Sequence, residues 1–66
     1  MKINKELIEN AMQADRWTVP LLAKELGVHK QSLYNWLRSG DIPKAEYIFR
    51  LSKILKLSVN QIAIEP

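Results

Sequence analysis

The chain contains no cysteine, which excludes disulfides and thiolate metal sites. Its one histidine, His29, cannot assemble a zinc site alone. Glycine occurs only twice and proline three times, so each break between regular elements is informative. No apolar run approaches the ~20 residues that span a bilayer. No basic stretch leads into an apolar segment at the N-terminus, so no secretory signal is read and a cytoplasmic location is expected. The chain shows no Gly-rich phosphate loop, no Ser-His-acid set that spacing could assemble and no paired carboxylates, so catalysis is not expected. No metal, cofactor, small-molecule ligand or membrane partner is expected either.

With 66 residues, one domain covering 1–66 is expected, because no smaller piece could bury its own core. A chain of this length buries only about 60% of its unfolded surface. Without disulfides or a metal, a second subunit is the remaining source of added stability. The hydrophobic share of 47% is that of a globular protein. The formal net charge is +3, unevenly spread. Acidic and basic residues balance over 1–28, whereas residues 29–56 carry Lys30, Arg38, Lys44, Arg50, Lys53 and Lys56 against Asp41 and Glu46. That bias suits a polyanionic partner.

Apolar spacing and cap residues divide the chain into about five helices, and no alternating run marks a strand. The fold class is all-α. Asn4 is expected to cap the first helix, whose apolar stripe is Ile3, Leu7, Ile8 and Ala11, with Met12 beside it. Thr18 caps the second, with Pro20 in the first turn, Leu22, Ala23 and Leu26 inward, and Gly27 as the stop. The third runs from about Lys30 to Ser39, with Leu33, Trp36 and Leu37 inward and Gly40 as its stop. Pro43 starts the next, about Lys44 to Leu55, which buries Ile48, Leu51 and Leu55 with Ile54 beside them. Ser58-Val-Asn-Gln61 forms a capping box for a short last helix through Ile62 and Ala63. Trp17 and Trp36 are both read as core.

If Leu33, Trp36 and Leu37 face inward, helical geometry turns Lys30, Gln31, Tyr34, Asn35 and Arg38 outward. Gln31 and Asn35 can each offer a donor and an acceptor to adenine, and Lys30 and Arg38 suit guanine or phosphate. Tyr34, a large aromatic on the outward side, is hard to explain by packing. Any surface helix shows a polar outer face, so this pattern alone carries half the weight.

At these residues the sequence resembles the Cro/CI-type (phage repressor-like, Xre) helix-turn-helix family. The resemblance rests on Ala23, where a small residue lets the third helix cross closely, on Gly27 in the turn, and on Leu33 and Trp36 as anchors. Thr18, Pro43 and the stretch Ile48 to Val59 match in the same register, so about residues 15 to 63 are covered. It implies a compact five-helix DNA-binding domain whose helix-turn-helix is made by the second and third helices. It places base contacts at Lys30, Gln31, Tyr34 and Asn35, with Arg38 and His29 flanking, and backbone or flanking contacts at Thr18, Ser32 and Lys44. Two positions depart from the family. Val19 stands where it often has Gln, so phosphate there would meet only the helix N-terminus. His29 stands where it usually has Ser or Thr, which implies a weaker cap for the reading helix or a DNA contact. Arg50, Lys53 and Lys56 are read as a solvated face.

The expected partner is double-stranded DNA, an operator in the form of an inverted repeat, bound by a homodimer at least on DNA. Val59, Ile62 and Ile64 are the candidate dimer contacts, with completion of the core an equal alternative. The expected function is a small phage or mobile-element repressor. With no further domain expected after residue 66, regulation would come from concentration, a partner or competition at the operator. Two rivals stand beside it. Leu33 to Pro43 also looks like the excisionase and MerR-type motif, although no strand pair for a wing follows. An antitoxin-like protein-interaction module on the same fold would not need the polar face from Lys30 to Arg38.

Overall fold

The computed structural model describes residues 1–64, and all statements of structure below concern these. Five helices follow in order: α1 (Lys5–Ala14), α2 (Val19–Leu26), α3 (Lys30–Ser39), α4 (Ala45–Leu55) and α5 (Val59–Ile62). The fold is all-helical, with no strand among the described residues. One hydrophobic cluster takes Ile8 and Met12 from α1, Leu22, Ala23 and Leu26 from α2, Leu33 from α3, Ile48, Leu51 and Leu55 from α4, and Ile62 from α5.

The cap residues act as their chemistry requires. Asn4 Oδ1 accepts from the Leu7 N–H at 3.1 Å, and Thr18 Oγ1 accepts from the Leu21 N–H at 3.3 Å. Ser58 and Gln61 form the reciprocal capping box at α5, with both bonds present. These groups satisfy N–H donors that the first turn of a helix cannot pair internally. Gly27 and Gly40 close α2 and α3 at φ 77° and 73°, in the left-handed region where a side chain would be strained. Lys56 closes α4 in the same conformation at φ 58°, without glycine's freedom.

Three expectations are corrected. Ile3 is buried, but it does not belong to the α1 stripe. It lies in an extended segment ahead of the helix, bridged to Ala63, while Lys2 is bridged to Asp41. Residues 1–4 thus run between the loop after α3 and the chain end after α5, with Ile3 N–H donating to Gly40 O at 3.0 Å and Asn4 N–H to Ile62 O at 2.8 Å. This pairing is not periodic along the chain, so the apolar spacing gave no sign of it. Secondly, Pro43 does not start α4. The helix begins at Ala45, and Lys44 occupies the N-cap in an extended conformation with no side-chain cap bond. Thirdly, Trp17 and Trp36 sit at the edge of the core, half-buried and packed against it. Trp17 lines a shallow cleft with Glu9, Met12, Gln13, Val19 and Leu37.

The Met1 ammonium meets Asp41 Oδ1 at 2.6 Å and Ile42 O at 2.7 Å. The hydrogen bond from this ammonium is the main reason the Asp41 carboxyl is held below its ordinary range. Beside it Ile42, in a loop with no apolar period, is fully buried.

Leu33 is the one fully buried side chain of α3, so Leu33→Ala should cost about 2–5 kcal/mol. A domain of this size holds roughly 3–10 kcal/mol in all, and urea unfolding should show a large loss or no folded baseline. Lys56→Gly should act in the opposite sense. Relief of left-handed strain outweighs the added freedom of the unfolded chain, for a net gain of about 0.5–1 kcal/mol, read as a higher urea midpoint.

Candidate nucleic-acid interface

α2 and α3 meet across a turn made by Gly27 and Val28. The Gly27 N–H reaches Ala23 O and Lys24 O, and the Val28 N–H donates to Ala23 O at 3.0 Å. Ala23 is itself buried, with no side chain beyond Cβ to hold α3 away. The short turn and the small residue allow α3 to cross α2 closely.

α3 is held along one side only. Leu33 is fully buried, Trp36 and Leu37 are half-buried, and Lys30, Gln31, Tyr34, Asn35 and Arg38 are exposed. Tyr34 is 47% exposed. Ser32 is half-buried, between the two faces. Asn35 joins its neighbours one turn away on each side: Oδ1 accepts from Gln31 Nε2 at 3.2 Å and from Arg38 Nη2 at 2.7 Å. Three of the outward side chains, Gln31, Asn35 and Arg38, are therefore linked in one hydrogen-bonded row.

His29 caps α3. Its Nδ1 accepts from the Gln31 N–H at 3.1 Å, so the ring takes the role a Ser or Thr hydroxyl would have. This leaves the Nε2 edge of an exposed ring turned away from the helix. Thr18 and Lys44 are exposed at the starts of α2 and α4 respectively. Val59 is half-buried, and Ile64 is 48% exposed. Ile62 is fully buried in the protomer's own core, which removes it as a dimer contact.

Sequence reasoning missed one feature that positions α3. Trp36 of α3 lies against Tyr47 of α4, ring centroids 5.0 Å apart and planes tilted by 35°. The Arg50 guanidinium sits 5.8 Å from the Tyr47 centroid, in cation–π range. Arg50 Nη1 also donates to Leu26 O, the last carbonyl of α2, at 2.8 Å, and Nη2 lies 3.5 Å from Glu46 Oε2. The solvated-face reading of Arg50 is thus corrected: a cation caps the C-terminus of α2, where the helix dipole favours it. The spacing of Tyr47 and Arg50 could have suggested an i, i+3 pair, but their target on α2 could not be read from spacing.

A sequence model of a helix-turn-helix family matches residues 8–62. The chain belongs to this family, of the Cro/CI type. It is a family of DNA-binding regulators. No curated protein and no solved structure matches the chain. Within the helix-turn-helix, α2 and α3 are the two motif helices, and the turn between them is the Gly27 turn described above. No helix among the described residues is long and apolar enough to cross a membrane.

Arg50→Met keeps the apolar stem but removes the bond to Leu26 O. The side chain is half-exposed (50%), so solvent screening reduces the loss to about 1 kcal/mol. Urea unfolding should show a lowered midpoint. An unchanged midpoint, with loss confined to DNA affinity, would make Arg50 a phosphate contact instead.

Proposed function

We propose that this helix-turn-helix protein is a sequence-specific transcriptional regulator of double-stranded DNA, a small repressor of phage or mobile-element type working in the cytoplasm. α3 enters the major groove. Lys30, Gln31, Tyr34, Asn35 and Arg38 face the bases from one side of α3, with the roles of Asn35 and Arg38 refined below. Thr18, His29, Ser32 and Lys44 lie along the flanking backbone, where helix N-termini and a lysine favour phosphate. The observation that carries the reading is the one-sided burial of α3: Leu33 inside, and an exposed row of amides, a phenol and cations outside.

This arrangement has little use in a domain that only supports its own core. Bonds one turn apart also occur on solvated helices; the row of Gln31, Asn35 and Arg38 supports the reading because it leaves both donors and acceptors facing outward. The segment after the loop is α4 and not a strand pair, which counts against a winged fold but not against an architectural role. On an inverted repeat two copies would present their α3 helices to half-sites ~34 Å apart. Ile64, exposed, and Val59, half-buried, are the apolar side chains proposed for the contact between them.

Selection of bound duplexes from a random pool, at near-physiological salt, tests this directly. An enriched inverted repeat is expected, bound with an affinity that falls as salt rises by about −0.9 in log–log slope for each neutralised phosphate. Enrichment of an asymmetric or directly repeated site would favour an architectural role. Absence of any enrichment would sink the regulator reading and leave a protein-interaction module.

A further inference from the structure

The hydrogen-bonded row on α3 has a direction that the residue names alone do not reveal. An arginine guanidinium carries donors and no acceptor. The Asn35 atom at 2.7 Å from Arg38 Nη2 must therefore be the amide oxygen, and the orientation of the amide is chemically determined. The same oxygen accepts from Gln31 Nε2 at 3.2 Å. Its two lone pairs are then filled, one by a short charge-assisted bond. What Asn35 still offers is its Nδ2 group, which donates to no group among the described residues.

Gln31 is left in the opposite condition. One Nε2–H is used on Asn35, while the other and the carbonyl oxygen stay free on an exposed side chain. A donor beside an acceptor fits adenine, which presents N7 as acceptor and N6–H as donor. Guanine presents acceptors at both positions, so its O6 would face the Gln31 oxygen. Asn35, with donors alone, fits an acceptor edge: guanine O6 and N7, or thymine O4. Pairing with adenine would require its oxygen to accept a third hydrogen bond or to release Arg38.

We infer that Gln31, Asn35 and Arg38 form one reading unit of fixed polarity, in which Gln31 selects adenine, Asn35 selects guanine or thymine on a neighbouring base pair, and Arg38 is a positioning residue acting through Asn35. The inference rests on the proposal that α3 is the groove helix. It departs from the expectation that both amides suit adenine and that Arg38 reads a base itself.

The test is systematic base substitution in the duplex selected by the natural protein, with equilibrium binding measured for that protein and for Asn35→Asp, Arg38→Met and Arg38→Lys. Both positions are exposed, and circular dichroism checks that each of the three variants keeps its helices. Asp at position 35 can still accept from Gln31 and Arg38, but an acceptor replaces its outward donors. Asn35→Asp should therefore lose its preference for guanine or thymine by about tenfold or more and gain cytosine there, with adenine still required at the Gln31 pair. Arg38→Met frees the Asn35 oxygen and should admit adenine at the Asn35 pair, and Arg38→Lys should restore the original preference. An Asn35→Asp profile identical to that of the natural protein would overturn the inference. So would an Arg38→Met variant that weakens every duplex equally, as a phosphate contact would, or one that relaxes a third base pair and leaves the Asn35 pair unchanged. If the natural protein itself discriminates among no base pairs, the groove-helix proposal fails and this one with it. Discrimination that the variants leave intact sinks the inference alone.

Discussion

The constraint on which this structure depends is that α3 must stay largely in water and yet be fixed in direction. A helix ordinarily gains its stability by burying an apolar stripe. Here that stripe amounts to Leu33 with Trp36 and Leu37 half-covered. Complete burial of Leu33 therefore carries an unusual share of the attachment. It also explains why small and backbone features around it matter so much. A bulkier residue at position 23 would displace α3 from the one contact it cannot lose.

The ends of α3 are secured by groups that lie outside the motif helices. At its start the His29 ring caps the first turn. At its end the Gly40 N–H returns to Trp36 O at 2.8 Å, and Gly40 O receives the N–H of Ile3 from the chain's first residues. Along its length Trp36 rests on Tyr47, and Arg50 extends that contact to the last carbonyl of α2. Aromatic packing and a cation at a helix C-terminus are individually worth about a kilocalorie per mole or less at exposed sites. Their importance is geometric: together they tie α2, α3 and α4 to one another around the Gly27 turn. Function in such a site depends on angle more than on stability.

The legible part of the sequence was the part with local rules. Helix order, the caps at Asn4, Thr18 and Ser58, the stops at Gly27 and Gly40, and the buried stripe of α4 all follow from spacing and residue type, which act within one or two turns. What could not be read depends on pairs far apart in the chain. Ile42 is buried because residues 1–4 fold over the loop that carries it, and nothing in Gly-Asp-Ile-Pro announces that cover. Ile62 has the same apolar character as Ile64, yet one completes the core and the other faces outward. In sequence Arg50 is one more cation of a basic segment, and only the packing of α4 against α2 gives it the Leu26 carbonyl as a target. Pro43 breaks the chain ahead of α4 but stands outside its cap, because a proline ahead of a helix can stand there as well as inside the first turn.

The outer face of α3 adds a different lesson about what a residue type implies. Asn and Gln carry the same amide, and in isolation both can match adenine. Once one oxygen accepts from an arginine and from the other amide, the two side chains no longer have the same recognition chemistry. The hydrogen bonds within the row also bias three flexible side chains toward one arrangement, by about 0.2–0.5 kcal/mol per pair, which lowers somewhat the ordering cost that binding must otherwise overcome. Coupled groups do not contribute additively. The meaning of Gln31, Asn35 and Arg38 therefore lies in the row that they form, and no single position of it can be interpreted while the other two are ignored.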